Sequence, residues 1–218
     1  DRSPEPEIQL ATEQQLWATE TGQVVTALGG RTVQQINREY ADELRRKRQA
    51  GALNAGAVKQ ALTELAKPPA FSSTAPRTLD YGTVQADGYR LEKLVWEPAP
   101  HLRIPALLYV PNGATRAPGV LWVEGRGKSR PVQTGSLEPE RLAKKGYVVL
   151  APDLRGWGET GPKNVTKGAF AQWFGDYDSA MTSLLVGQPL LGQRIGDIRQ
   201  ALSLLASRPE VDPAKLTA

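Results

Sequence analysis

The sequence predicts an α/β protein: an open, mostly parallel sheet with antiparallel strands at its N-terminal side, preceded by a helical extension. Three features carry this reading. Two alternating segments, TLDYGTVQA and YRLEKLVWE, flank Asp87-Gly88, the signal of a type I′ hairpin. Two continuous apolar runs, GVLWVEG (119–125) and YVVLAPD (147–153), are separated by one helix, as in a βαβ unit with strands buried on both faces. The last stretch, DIRQALSLLASRPEVDPAKLTA (197–218), reads as a helix, a proline-containing turn and the start of another parallel strand.

Taken in order, residues 1 to about 30 are polar and irregular, with Trp17 and Val24-Val25 as apolar points and Gly29-Gly30 at the close. Thr32 and Gln35 fit a capping box, and Val33, Ile36, Tyr40 and Leu44 come after it at helical spacing. Asn54 caps a second helix, with Val58, Leu62 and Leu65 on one face and Pro68-Pro69 as its stop. Residues 1–75 form the helical extension, packed on the sheet domain that residues 76–218 form. HLRIPALLYVP (101–111) is a third strand, with a turn after it at Asn112-Gly113. A helix over about 137–145 is closed by Gly146. Two more helices span about 176–187 and 192–207. The second has Ile195, Ile198, Leu202 and Leu205 as its stripe and Pro209 beyond its end, and Lys215-Leu216-Thr217 opens the next strand.

The apolar content, 40%, suffices for a core and argues against bulk disorder. The net charge of +4 is small, and Arg45, Arg46, Lys47 and Arg48 come directly after Glu39, Asp42 and Glu43. With no aromatic or base-reading pattern beside it, this cluster reads as a solvated helix face, not a nucleic-acid site. The absence of cysteine excludes disulfides, Cys-ligated metal and a thiol nucleophile. No His or acidic cluster has metal-ligand spacing. No apolar run approaches the roughly 20 residues of a membrane span. The opening DRSPEPE fits a processed end or a cut inside a longer protein. A secreted or periplasmic location is the expectation, and the cytoplasm is compatible with the same cysteine-free composition.

In an open α/β sheet, ligands bind beyond the carboxyl ends of the strands. The residues to consider are therefore 124–131, 153–162 and any segment beyond Ala218. Three blocks occur in order: IPALLYVP with VLWVEGRGK, LAKKGYVVLAPDLRGWGET, and DIRQALSLLASRPEVDPAKLTA. Over residues 78–218 they resemble the α/β-hydrolase superfamily, nearest its acetyl xylan esterases and dienelactone-hydrolase-like enzymes. The resemblance implies an α/β-hydrolase fold, incomplete in this chain. It also implies hydrolysis of carboxylic esters, carbohydrate acyl esters among them, by a Ser-His-Asp acyl-enzyme mechanism without a cofactor. The nucleophilic serine would lie in a G-x-S-x-G turn shortly after Ala218, with its partners further on. The chain alone is then expected to be inactive and poorly soluble, with an apolar edge strand that a second polypeptide segment completes. Two alternatives stay open: a non-catalytic hydrolase-like domain of a larger protein, and a prolyl-oligopeptidase-like peptidase, which usually carries propeller repeats that the sequence lacks.

The resemblance also assigns site residues. The oxyanion-hole N–H from the loop after the superfamily's third strand falls on the backbone of Arg126. Glu124, Gly125 and Gly127 flank it as substrate-binding positions; the glycines suit close backbone approach to a ligand. Many relatives have His-Gly where this chain has Glu124-Gly125. The Arg126 side chain alternatively binds an acidic substrate, extending a basic patch with Lys128 and Arg130. DLRGWGE (153–159) resembles the family's D-x-R-G-x-G segment. In it Asp153 and Arg155 hold the loop, while Trp157 either stacks on a sugar ring or packs into the core. Trp173 and Phe174 cover the same cleft or anchor a helix. Ser129 lacks the second glycine of an elbow, and Ser136 fits a helix N-cap. His101, the single histidine, reads as a surface turn residue between two edge strands.

Overall fold

The computed structural model describes residues 8–51, 54–125, 127–128, 138–161 and 176–218. They belong to two compact units, residues 1–58 and 59–218. In the first, a 3₁₀ turn at Gln14–Leu16 precedes α1 (Val24–Leu28) and α2 (Val33–Ala50). The five-residue α1 corrects the expectation of irregular chain up to Gly30; it is too short to show a helical period. The Thr32 capping box is present. Thr32 Oγ1 accepts from Gln35 N at 3.2 Å, and Gln35 Oε1 accepts from Thr32 N at 2.7 Å. The apolar residues Val33, Ile36, Tyr40 and Leu44 of α2 are exposed. α3 (Ala55–Ala66) starts at its expected cap, where Asn54 Oδ1 accepts from Ala57 N at 2.7 Å. It ends before Lys67, whose φ is 48°.

The second unit is built on a sheet of β1 (Thr78–Ala86), β2 (Tyr89–Ala99), β3 (Leu102–Pro111), β4 (Ala117–Leu121), β5 (Val148–Pro152) and β6 (Val211–Thr217). Its order is β1-β2-β3-β5-β4-β6. Pairing is antiparallel from β1 through β3 to β5, then parallel from β5 to β4 and from β4 to β6. In the β1–β2 turn Gly88 has φ 85°, but Asp87 is not among the residues with positive φ, so the turn is not the expected type I′. β5, between β3 and β4, is buried at every residue. β4 ends at Leu121, and Val123 is exposed, so the run up to Gly125 is not buried throughout as expected. Between β4 and β5, α4 (Pro139–Lys144) closes in a Schellman motif. Gly146 N donates to Ala143 O and Tyr147 N to Leu142 O, with φ 94° at Gly146.

Two helices, α5 (Tyr177–Leu185) and α6 (Leu190–Ala206), lead into β6. The stripe expected on α6 is only part of its buried surface. Ile195, Ile198 and Leu202 are half-buried, while Gly192, Gly196, Asp197 and Ser203 are buried. The cause is that α6 has neighbours on two sides. Ala201, Leu204 and Leu205 join Trp96, Ile104, Leu108, Leu121 and Leu150 in the core. Gly192 and Gly196 lie against Ala66 and Pro69. β2 and β3 are interior strands, so His101 does not lie between edge strands as expected. It is an exposed turn residue with φ 65°, and its N–H donates to Glu97 Oε1 at 2.7 Å. The edge strand β6 carries Asp212, Pro213 and Lys215, which interrupt the expected apolar edge. Among the described residues no helix is long and apolar enough to cross a membrane.

A charge network ties the start of β6 to β2. Arg208 Nη2 donates to both Glu92 oxygens, at 3.0 and 2.9 Å, and Arg90 pairs with Glu92 and Glu210. Burial works against the Glu210 carboxylate, but its own backbone N–H and the guanidinium groups of Arg208 and Arg90 outweigh this and lower its pKa. The Ala214 N–H and Arg116 lower that of Asp212. These carboxylates therefore lend stability above the ordinary carboxyl range and lose it as pH falls through their lower folded values. Stability is expected to be flat in this respect above about pH 5 and to decline below about pH 4, less steeply in Glu210→Gln. Urea unfolding across that range checks this; superimposable parent and variant profiles would contradict it.

Candidate functional site

Because β4, β5 and β6 are parallel, their carboxyl ends lie at one end of the sheet. The loops after β4 and β5 meet there. Arg126, Ser129, Arg130, Ser136, Trp173 and Phe174 lie outside the described residues. Gly127 N donates to Glu124 O at 2.9 Å, closing a turn. Gly127 is buried with φ 97°, and a Cβ added to it would lie 2.6 Å from Gly158 Cα. A Cβ on Gly158 would lie 2.3 Å from Asp153 Cγ. The two loops thus approach through glycines, directly over a buried carboxylate.

That carboxylate organises the loops. Asp153, 1% exposed, accepts from Lys128 N at 2.6 Å, Lys128 Nζ at 2.6 Å and Glu159 N at 2.8 Å. The Lys128 side chain is only 4% exposed and also pairs with Glu159. Lys128 therefore points inward and is neutralised, which corrects its expected place in a substrate-facing basic patch. The cause is the cost of leaving a buried carboxylate unpaired. A second pair anchors the other side. Arg155 donates from Nε to Asp197 Oδ2 at 2.8 Å, from Nη2 to Asp197 Oδ1 at 2.5 Å, and from Nη1 to Gln193 Oε1 at 2.8 Å.

Trp157 is half-buried beside this pair, with the Arg194 guanidinium 4.3 Å from the ring centre. Arg194 Nε donates to Arg155 O at 3.0 Å, and its Nη2 lies 2.6 Å from Asp176 without hydrogen-bond alignment. One indole face is thus covered by a cation, an attraction of about 0.5–2 kcal/mol. Gly125 is exposed, and a Cβ added there would lie 3.8 Å from the indole edge; Glu124 is half-buried. A cavity of about 440 Å³ adjoins the loops, walled by Lys128, Glu159, Thr160, Pro105, Leu107 and Tyr81. Its volume is that of a small-molecule site.

No family model matches the sequence, and no curated protein matches it. Solved structures do. A Bacteroides fragilis protein assigned as an acetyl xylan esterase superposes with a TM-score of 0.58 and 20% identity, covering 74% of this chain and 44% of its own. The fold is that of the α/β hydrolases. Acetyl xylan esterases from Paenibacillus sp. R4 and Thermoanaerobacterium sp. are also similar. The first gives a TM-score of 0.49 and 20% identity over 66% of this chain and 45% of its own. The second gives 0.46 and 19% over 72% and 47%. The chain therefore spans less than half the length of each.

Within this α/β-hydrolase sheet, the structure brings Gly125, Gly127 and Trp157 into one region with Glu124 at the end of β4. Sequence reasoning missed the α6 residues that hold it. Gln193 and Asp197 stand one helical turn apart, and Asp197 sits between the apolar Gly196 and Ile198. A carboxylate on the core side of an amphipathic helix is a signal that a buried cation faces it.

Proposed function

We propose that the protein carrying this chain is a serine carboxylesterase that deacylates carbohydrate esters. One observation carries the reading. The loops after β4 and β5 meet at the carboxyl end of an α/β-hydrolase sheet, beside β6, which runs parallel to β4. In this fold the nucleophile turn comes after the strand at that position. The nucleophilic serine, the acid and the histidine then lie beyond Ala218, and the remaining strands, on the same or a second polypeptide, pair along β6.

In this mechanism the serine Oγ attacks the ester carbonyl while the histidine takes its proton. The tetrahedral oxyanion is held by the N–H after the serine and by the backbone N–H of Arg126. The alcohol leaves with the histidine's proton, and water repeats the sequence on the acyl-enzyme. Such donors act only if held in place beforehand. The Asp153–Lys128 pair supports this by pinning the adjacent backbone, with Lys128 N itself bonded to the carboxylate. Glu124, Gly125 and Trp157 stand on the substrate side, and the one cation-covered face of Trp157 leaves its rim for sugar contact; Gly127, expected beside them, is buried against Gly158 and Asp153 and serves the packing of the two loops instead. On this reading the protein acts outside the cytoplasm, where acylated polysaccharide is met.

The test uses the protein expressed together with the gene segment downstream of Ala218. p-Nitrophenyl acetate should be hydrolysed, and a fluorophosphonate should label one serine in the turn after β6. Arg126→Pro, which removes the N–H, should lower kcat about 10²-fold or more, while Arg126→Ala, which keeps it, should not. A non-serine elbow, absence of labelling, or equal activity of the two variants would defeat the proposal.

A further inference from the structure

The backbone and the ring of Trp157 are held by different groups. Its loop is tied down by Arg155 on Asp197 and by Thr160, whose Oγ1 donates to Leu154 O at 2.6 Å and accepts the Trp157 N–H at 3.1 Å. The indole itself is held by Arg194, which stands one helical turn before Asp197 on α6. The Arg194 guanidinium is fixed on three sides. Its Nε donates to Arg155 O at 3.0 Å, and its Nη2 lies 2.6 Å from Asp176 Oδ2, just ahead of α5. Gly156 makes room for it: φ there is 83°, which suits glycine, and an added Cβ would lie 2.9 Å from Arg194 Nη2.

A planar cation pinned at its edges is a fixed flat surface, and the Trp157 ring lies on it with 4.3 Å from Arg194 Cζ to the ring centre. The Arg194 side chain is only 12% exposed, so water screens this attraction little. An indole has two side-chain torsions, so one covered face sets the direction of the whole ring. The ring edge then stands toward the loop after β4, with Cζ2 3.8 Å from the position a Cβ would take on Gly125. We propose, resting on the esterase reading above, that Arg194 is a positioning residue. It holds the Trp157 indole as a ready-made platform for the sugar ring of a carbohydrate ester, and so sets the preference for sugar esters over small acyclic ones. A ring already held in place need not be ordered at each binding event.

The test uses the protein expressed with the gene segment downstream of Ala218 and labelled with 5-fluorotryptophan. The Trp157 ¹⁹F resonance is the one lost in Trp157→Leu. Arg194→Met should move that resonance and leave the one from the core residue Trp96 in place, and Arg194→Lys, which keeps a cation, should move it less. Methyl β-D-glucopyranoside should shift the parent's Trp157 resonance, and Arg194→Met should need about tenfold more of it. Relative to ethyl acetate, kcat/KM for β-D-glucose pentaacetate should fall about tenfold in Arg194→Met and in Trp157→Leu. The double variant should lose no more than either single one, because both act through one ring. A merely structural arginine would instead lower both ester rates together and add to Trp157→Leu. Four results would overturn the proposal: a Trp157 resonance unmoved in Arg194→Met, a parent resonance indifferent to the glucoside, an unchanged ratio between the two esters, or additive losses. A parent that hydrolyses neither ester defeats the esterase reading instead, while the resonance and the glucoside titration still judge Arg194.

Discussion

Asp197→Ala is expected to destabilise the fold by about 3–5 kcal/mol. The Asp197 carboxylate is fully buried and forms a two-pronged pair with Arg155, whose side chain is 19% exposed. Removing the carboxylate leaves a guanidinium in a poorly solvated position with Gln193 as its remaining side-chain partner. The attraction between the two charges does not measure this cost, because both were taken out of water to meet. The penalty arises from orphaning one of them. Replacing both, as Arg155→Met with Asp197→Leu, should therefore recover most of the loss. Urea denaturation of the parent, the single variant and the double variant checks both statements. A single-variant loss under about 1 kcal/mol, or a double variant no better than the single, would contradict them.

Gly192→Ala is expected to destabilise the protein by about 2 kcal/mol, although alanine favours a helix interior over glycine by about 1 kcal/mol. An added Cβ would lie 1.7 Å from Ala66 O and 2.7 Å from Ala66 C. These are backbone atoms and cannot swing aside as a long side chain does. Relief requires α6 to move away from residues 66–72. That movement disturbs the Gly196 contact with Pro69 and the bonds from Arg199 to Pro69 O and from Ser203 to Ser72 O. Gly192, Gly196, Arg199 and Ser203 share one face of α6, so the strain is felt along the helix. Thermal unfolding decides between propensity and packing: a Gly192→Ala melting temperature at or above that of the parent would reject the packing account.

The sites of these two predictions differ in how visible they are in the sequence. Asp197 stands out as a charge within an apolar pattern, although its partner Arg155 is 42 residues away. Gly192 looks like an ordinary weak point of a helix, and only the approach of Ala66 gives it a purpose. Lys128 misleads for a related reason. Beside Arg126 and Arg130 it resembles a solvent-facing basic run, but the carboxylate that turns it inward lies 25 residues on. Trp157 is neither fully packed nor fully free because its covering cation, Arg194, comes from α6.

By itself the sequence determined the order of helices and strands in the second unit, the caps at Thr32 and Asn54, the glycine stop at Gly146 and the α/β class. These rest on bonds and periodicities spanning a few residues, so a local reading reaches them. The tertiary structure decided that β5 enters between β3 and β4, that α6 is buried on two sides, and that Asp153 and Asp197 each claim a cation. Those outcomes depend on which distant segments share a dry interior, where an unpaired charge or a misplaced methyl is costly. No short window of sequence contains both partners.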